Sequence, residues 1–397
     1  MSNTIIKLMK EPLWNRNFIL IFFSNLLMAF SFYLLMPTIP VYLSEVLRTP
    51  ASQVGIVLSS YTIAILFVRP FSGFLVDRLP RKTLFLFAGL FFWFAFFGYL
   101  FAATVMLLVL VRFLHGLGWG VSTVAGSTIA IDVIPASRRG EGMGYFGLTL
   151  NIAMAAAPLF GTLLYEKWGI SALIYGCLAS AGTGLLIAGQ IGLARRTPSL
   201  NMPLSFDRFI LVKGIPAGVS FIFCALPYGM LVSYITLFGR EIEIEKPALF
   251  FVFLALGVGI SRLISGRLVD KGYIHRLIMG AMVALMLSLA LLSTVHDVMV
   301  FCLSASLIGV SYGTMTPAFQ YLFVALAPSS MRGTANSTYL LSFDVGLSLG
   351  MLSGGFISSF YPLSTAYLLC TGFIFLALVL YAVKVRGHFN RNRVDIF

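Results

Sequence analysis

Residues 69–77 read RPFSGFLVD, and residues 262–270 read RLISGRLVD. Arg69, Ser72, Gly73, Leu75, Val76 and Asp77 return, 193 residues on, as Arg262, Ser265, Gly266, Leu268, Val269 and Asp270. With no gap, the same offset pairs Gly116 with Gly309, Gly120 with Gly313 and Pro135 with Pro328. It also pairs Ser137, Arg139 and Gly140 with Ser330, Arg332 and Gly333. Chance does not hold register over so long a stretch. The chain reads as two parallel copies of one unit, residues 1–193 and 208–397. The polar, proline-containing segment 194–207 joins them.

Both copies are strongly apolar. Hydrophobic residues make up 59% of the chain and charged residues 10%, against about 25% charged in soluble domains. Apolar runs long enough to cross a hydrocarbon core about 30 Å thick fall at roughly 18–40, 54–76, 83–103, 105–131, 142–164 and 171–193 in the first copy. In the second they fall at roughly 209–238, 248–269, 276–294, 298–326, 334–359 and 363–384. The alternating short segments of a membrane β-barrel are missing. The expected fold is an all-α membrane protein of twelve transmembrane helices in two parallel six-helix repeats. An even number of spans per copy relates the copies by an axis along the membrane normal, with a substrate site between them at mid-membrane.

The net charge of +13 is explained by its placement. Segments facing one side carry Arg78, Arg81, Lys82, Arg138, Arg139, Arg195, Arg196 and Arg332, among others. Loops on the other side carry only Arg48, Lys167, Arg240 and Lys246. The positive-inside rule puts both termini in the cytoplasm, and no nucleic-acid partner is needed to account for the basicity. The first 17 residues are polar and basic, and no cleavable signal follows them. Cys177, Cys224, Cys302 and Cys370 lie in apolar runs, which reads as packing rather than disulfides or metal ligation. No metal, cofactor or catalytic constellation is legible, so an enzyme is not expected. The glycines of 116–120 lie inside a span and are packing surfaces rather than a phosphate loop.

At residues 73–82, GFLVDRLPRK, the chain resembles the major facilitator superfamily. The family's loop signature is G-x-L-x-D-R-x-G-R-K, and Pro80 stands where glycine is usual. The resemblance implies gating roles for Gly73, Asp77, Arg78, Arg81 and Lys82, with Asp270 as the echo in the second copy. Asp77 is expected to help lock an outward-facing state. Residues 112–120, RFLHGLGWG, are similar to the R-x-x-x-G-x-G-x-G pattern of proton-linked members, which implies a part in coupling for Arg112. His115 lies three residues on, on nearly the same helix face. Residues 157–161, APLFG, resemble the core of the antiporter motif, where Pro158 is expected to kink the span and Gly161 to let span eight of the opposite half approach. Residues 135–144 resemble bacterial sugar-efflux and drug-efflux permeases. Beside them, Asp132 and Glu141 read as ion-pair partners of Arg138 and Arg139. The resemblance places the protein in the bacterial inner membrane, as a monomer.

Ionisable groups inside the spans are few. Asp344 is the one carboxylate deep in a span, which suits a group that loads and releases a proton, with His115 and Arg112 next. Arg69 and Arg262 are expected to pair with acids or helix-end carbonyls near the cytoplasmic rim. Polar and aromatic side chains that could line a cavity are Asn25, Tyr33, Tyr61, Trp119, Asn151, Tyr228, Tyr234, Gln320, Tyr321, Asn336 and Tyr339. Aromatic rings with a few hydrogen-bonding groups suit an amphipathic organic substrate. The expected function is export of small organic molecules by proton antiport, with protons and the lipid bilayer as the other partners. Uptake of a sugar, organic acid or siderophore-like metabolite is the alternative within transport. A lipid translocase or non-transporting sensor is the alternative outside it.

Overall fold

A computed structural model of the chain describes residues 12–36, 38–48, 51–102, 104–193, 206–294, 297–358 and 360–394. The connector 194–207 lies outside the described residues except for its last two. The regular elements among the described residues are all helical, with no strand. In chain order the helices are α1 (Arg16–Leu35), α2 (Thr38–Glu45), α3 (Ala51–Arg78), α4 (Arg81–Phe101), α5 (Val105–Val133) and α6 (Arg139–Gly189). There follow α7 (Ile215–Glu241), α8 (Leu249–Asp270), α9 (Ile274–Ser293), α10 (Val298–Ala325), α11 (Arg332–Ser358) and α12 (Leu363–Leu380). A single π-helical turn, Tyr381–Val385, leads into α13 (Arg386–Asn392).

Short polar side chains start several of these helices. Asn15 accepts from the Phe18 amide at 2.9 Å, Thr104 from Leu107 at 3.3 Å, and Asp297 from Met299 and Val300 at 2.8 and 3.1 Å. Each satisfies an amide that the first helical turn leaves without a partner. Eleven of the helical segments are long and apolar enough to cross a membrane. The span expected at 142–164 is helical too. It forms the first part of α6 and is separated from the second by Gly169, at φ 76° and ψ −176°. Only glycine adopts that conformation without strain, so α6 is two helices meeting at a sharp corner. The first expected span, 18–40, is shorter than its apolar run: α1 ends at Leu35 and a new helix begins at Thr38.

Side chains bury in two clusters. One draws on residues between Leu13 and Ile191 with Val324 added, the other on residues between Leu211 and Phe389. On the outside, Phe87, Phe101, Leu186, Met299 and Val383 stand largely exposed, as expected of surfaces that meet lipid chains rather than water. Within the first cluster α1 packs on α6, and α3 on α5. Within the second α7 packs on α11, and α8 on α10. Two further seams join the clusters, α3 against α11 and α6 against α8.

Glycines set the closest approaches. A Cβ at Gly309 would overlap the Leu254 carbonyl oxygen, and one at Gly257 that of Ser306, which draws α8 and α10 together. Gly161 does not meet span eight as expected. A Cβ there would overlap the Leu34 carbonyl of α1. Span eight is met a few turns earlier on α6, where Gly140 and Gly144 lie against Gly266 and Arg262 of α8. Gly161→Val should therefore loosen the α1–α6 contact by about 1–3 kcal/mol, the usual cost of overpacking. A lowered unfolding midpoint in detergent is the expected readout, and an unchanged midpoint would contradict this packing.

Candidate functional site

The seams between the clusters are tied at one end of the bundle by two carboxylates at the 193-residue offset. Asp77, at the end of α3, accepts hydrogen bonds from the Gly333 and Thr334 amides at 2.8 Å each and from Thr334 Oγ1 at 2.9 Å. Asp270, at the end of α8, accepts from the Gly140 and Glu141 amides at 2.6 and 2.9 Å. Each carboxylate caps the first turn of a helix in the other cluster, α11 and α6 respectively. There the free amides and the helix dipole both favour a negative charge. Glycine makes the approach possible. A Cβ at Gly73 would stand 2.8 Å from Thr334 Cα, and one at Gly266 would stand 2.7 Å from Glu141 Cα.

Ion pairs surround these caps. Asp132 bridges Arg81 and Arg332, the latter at 2.9 Å. Glu141 bridges Arg138 at 2.8 Å and Arg267 at 2.9 Å. Lys82 donates to the Gly189 carbonyl at 2.7 Å, and Arg78 lies over the Phe74 ring. Burial pushes the Glu141 carboxyl up, but hydrogen bonds and charge from Arg138 and Arg267 outweigh it and hold the group below the usual carboxylate range. A depressed carboxyl contributes its full stabilisation above the ordinary value, about 4.3, and loses it as pH falls from there through the lowered one. This bridge is thus intact at neutral pH. The two Glu141 bridges should weaken only below about pH 4.3, and their loss should add to any acid-induced rise in the reactivity of cysteine probes at this end. Glu141→Gln should remove that added part of the response.

Above the caps lies a cavity of about 90 Å³ between the clusters. Its walls are Asn25 of α1, Thr123 and Ser127 of α5, and Phe146, Gly147 and Leu150 of α6. From the other cluster come Arg262 of α8, Thr316, Pro317 and Gln320 of α10, and Tyr339 and Leu340 of α11. Asn25 donates to Thr149 Oγ1 at 2.6 Å. Gln320 donates to Asn336 Oδ1 at 2.8 Å, and Asn336 donates to Ser127 Oγ at 2.5 Å, which carries a polar chain across the seam.

Beside the cavity, Arg69 Nε donates to Asp344 Oδ2 at 2.8 Å, and Arg69 Nη1 donates to Thr123 Oγ1 at 2.7 Å. Arg69 is 4% exposed, so its charge is out of water and Asp344 neutralises it. Asp344 is therefore one member of a pair joining α3 to α11 rather than a solitary carboxylate. Tyr33 packs edge-on against Phe32, with ring centroids 5.1 Å apart.

The remaining sequence candidates divide. Asn25, Gln320 and Tyr339 line the cavity, and Asn336 stands directly behind it. Asn151 follows Gly147 by one turn and keeps a buried Nδ2 without a partner. Tyr228 packs edge-on against Tyr312, and Tyr321 is half-buried. Tyr234 is spent on the Met351 carbonyl, at 3.0 Å. Trp119 and Tyr61 belong to packing: both stack on Phe32, with ring centroids 5.3 and 4.9 Å away. His115 is fully buried among Phe32, Phe92, Phe96 and Tyr61, with Nδ1 3.0 Å from the Tyr99 hydroxyl. Arg112 lies 4.9 Å over the Tyr61 ring, and its Nε and Nη1 have no hydrogen-bond partner. Pro158 sits inside α6.

The sequence reading missed Thr123, Ser127 and Thr316, because a lone hydroxyl on an apolar helix commonly bonds its own backbone. One signal was present. Arg69 and Thr123 stand at the same spacing as Arg262 and Thr316, and both pairs are hydrogen-bonded, the second at 3.3 Å.

A multi-span helical bundle with a cavity of mixed polar and apolar lining between two packed clusters fits a membrane transporter. The chain belongs to the major facilitator superfamily, whose model matches residues 21–339 and 217–394. It is 24% identical to the staphyloferrin B transporter of Staphylococcus aureus over 388 residues, covering 91% of each chain. It is equally 24% identical to the multidrug resistance protein MdtG of Klebsiella pneumoniae, covering 94% of each. The multi-drug resistance efflux pump PmrA of Streptococcus pneumoniae is 23% identical, with 92% of this chain and 96% of that one covered. Among solved structures, the fold matches a human organic anion transporter with a TM-score of 0.79 at 16% identity, over 93% of this chain and all of that one. The outward-facing structure of a bacterial homologue of the iron transporter ferroportin matches with a TM-score of 0.79 at 15% identity, over 93% and 99%.

Proposed function

We propose that the protein exports small organic molecules across the bacterial inner membrane by alternating access, with protons moving the other way. The observation that carries this reading is the pair of mirrored carboxylate caps, Asp77 and Asp270, closing one end of the bundle beneath a cavity shared by the two clusters. On this reading the halves are residues 1–193 and 208–397, related by a pseudo-twofold along the membrane normal, and 194–207 is a cytoplasmic linker. Both termini are cytoplasmic, the working unit is a monomer, and the closed end faces the cytoplasm. The cavity is smaller than the roughly 300–1,000 Å³ of typical ligand sites. Substrate entry therefore requires the halves to part.

Proton coupling falls to Asp344. Its pair with Arg69 ties α3 to α11 eight residues from Asp77, about 12 Å along the helix at 1.5 Å per residue. A proton taken up from outside would neutralise Asp344 and release Arg69 from that tie. The cytoplasmic end would then open, and the proton would leave into the cell as substrate enters the cavity. Export is supported by the efflux and multidrug-resistance names of relatives that cover nearly the whole chain.

Proteoliposomes test the reading. An imposed pH gradient should drive a transported compound against its own gradient, and collapsing the pH difference should leave exchange alone. Accumulation that ignores the pH gradient would remove the proton. Failure to exchange any compound in a broad panel would remove transport itself.

A further inference from the structure

The two arginines at the 193-residue offset are not equally neutralised. Arg69 has Asp344 at 2.8 Å and Thr123 at 2.7 Å. Arg262 reproduces the hydroxyl contact, with Nη2 donating to Thr316 Oγ1 at 3.3 Å. It does not reproduce the acid. The residue at the offset of Asp344 is Asn151, and Arg262 has no carboxylate within 4.0 Å among the described residues. Its Nε is buried with no hydrogen-bond partner, and so is the Nδ2 of Asn151.

Place and shape agree with this imbalance. Arg262 lines the cavity with Thr316 and Gly147. A Cβ at Gly147 would overlap the guanidinium, so the absence of a side chain there is what lets Arg262 lie across α6. Asn151 follows one turn later on the same face. A guanidinium offers a planar fork of donors matched to a carboxylate, and leaving one unpaired in a low-dielectric cavity is costly.

We infer that Arg262 is the anchoring group of an anion subsite, and that the transported molecule is an organic anion whose carboxylate, or similar acidic group, takes the place that Asp344 fills for Arg69. Asn151 donates from Nδ2 to the same group, and Thr316 holds the guanidinium in position. The inference rests on the transport reading above and adds the charge class of the substrate. Neutral and cationic compounds of the same size leave Arg262 uncompensated and bind poorly.

The test uses the full-length protein in proteoliposomes with a counterflow panel. The panel contains succinate, benzoate and citrate, their neutral amides, and the cations ethidium and tetraphenylphosphonium. The expected result is exchange of at least one of the acids and of none of the amides. Arg262→Gln should weaken that exchange by at least about tenfold, the loss that follows removal of a charge-assisted hydrogen bond. Because Arg262→Gln disturbs a half-buried position, Asn151→Asp provides the second arm. It supplies the missing internal carboxylate, so the protein should melt no lower than wild type while anion exchange falls by a similar factor. Normal anion exchange in a well-folded Asn151→Asp protein overturns the subsite. Exchange of amides or cations with the acids excluded also overturns it and leaves the transporter reading standing. Exchange of nothing in the panel overturns both.

Discussion

Asp77→Asn is expected to open the end of the bundle that Asp77 now closes. The carboxylate accepts two backbone amides and a hydroxyl from the first turn of α11, all within 2.9 Å. It also lies 3.5 Å from Arg81. Hydrogen bonds to a charged group contribute about 1.5–3 kcal/mol each, and the helix dipole adds to them. An asparagine keeps one acceptor oxygen and loses the charge. A shift of about 2–3 kcal/mol in the equilibrium between closed and open forms follows, roughly 30- to 150-fold in population. Spin labels placed on either side of the α3–α11 seam should report a longer distance in the variant. Ligand binding to the cavity should persist while transport fails, because the substitution lies two turns from the cavity walls. An unchanged distance distribution together with lost binding would mean that Asp77 serves the substrate and not the gate. Asp270→Asn should reproduce the opening at the α6–α8 seam.

Asp344→Asn is expected to abolish uphill, proton-driven transport while leaving energy-independent exchange of substrate. It also has a structural consequence that the pairing with Arg69 makes unavoidable. Removing one partner of a buried ion pair commonly costs about 3–5 kcal/mol, because the remaining charge has no counterpart. Arg69 is too buried to turn to water. The single variant should therefore melt well below wild type. Adding Arg69→Gln should restore much of that loss without restoring coupling. A double variant as unstable as the single would show that the pair does not hold the seam. A single variant that still concentrates substrate with normal pH dependence would move coupling to another group.

The axial layout of the protein was legible in its sequence, and the azimuths were not. Repeated letters at one offset located Asp77 and Asp270 at equivalent helix ends, and the charge-rich loops beside them marked the same end. Nothing in the letters says that Arg69 turns towards Asp344, 275 residues away. In a soluble helix the polar stripe reveals which face is buried. In α5 the polar side chains Arg112, His115, Ser122, Thr123, Ser127, Thr128 and Asp132 are spread around most of the helix, so no single stripe distinguishes the cavity face from the packed one. That is why Trp119 read as a cavity residue and His115 as a coupling group, while both lie in the aromatic packing with Phe32, Phe92 and Phe96. Gly161 failed for the same reason. Its smallness was visible, and the helix it makes room for was not. Thr123 and Thr316 carried a weak signal that needed the repeat to be noticed, since only the matched spacing to Arg69 and Arg262 separates them from other hydroxyls.

The unequal partners of Arg69 and Arg262 have an electrical consequence. In the proposed cycle Asp344 carries the proton while the site is empty of substrate, so the two arginines then leave the cavity with two surplus positive charges. With Asp344 ionised and a monoanion bound, the surplus is cancelled. Voltage does work on a charge that changes the side it faces, about 2.3 kcal/mol per elementary charge for each 100 mV across the full membrane. A neutral, occupied site reorients with no such bias. An interior-negative potential therefore acts on the empty carrier alone, drawing it to face the cytoplasm, where it fills. In such a cycle the voltage-sensitive step is the return of the unloaded protein, and the current it carries measures how many anions have left.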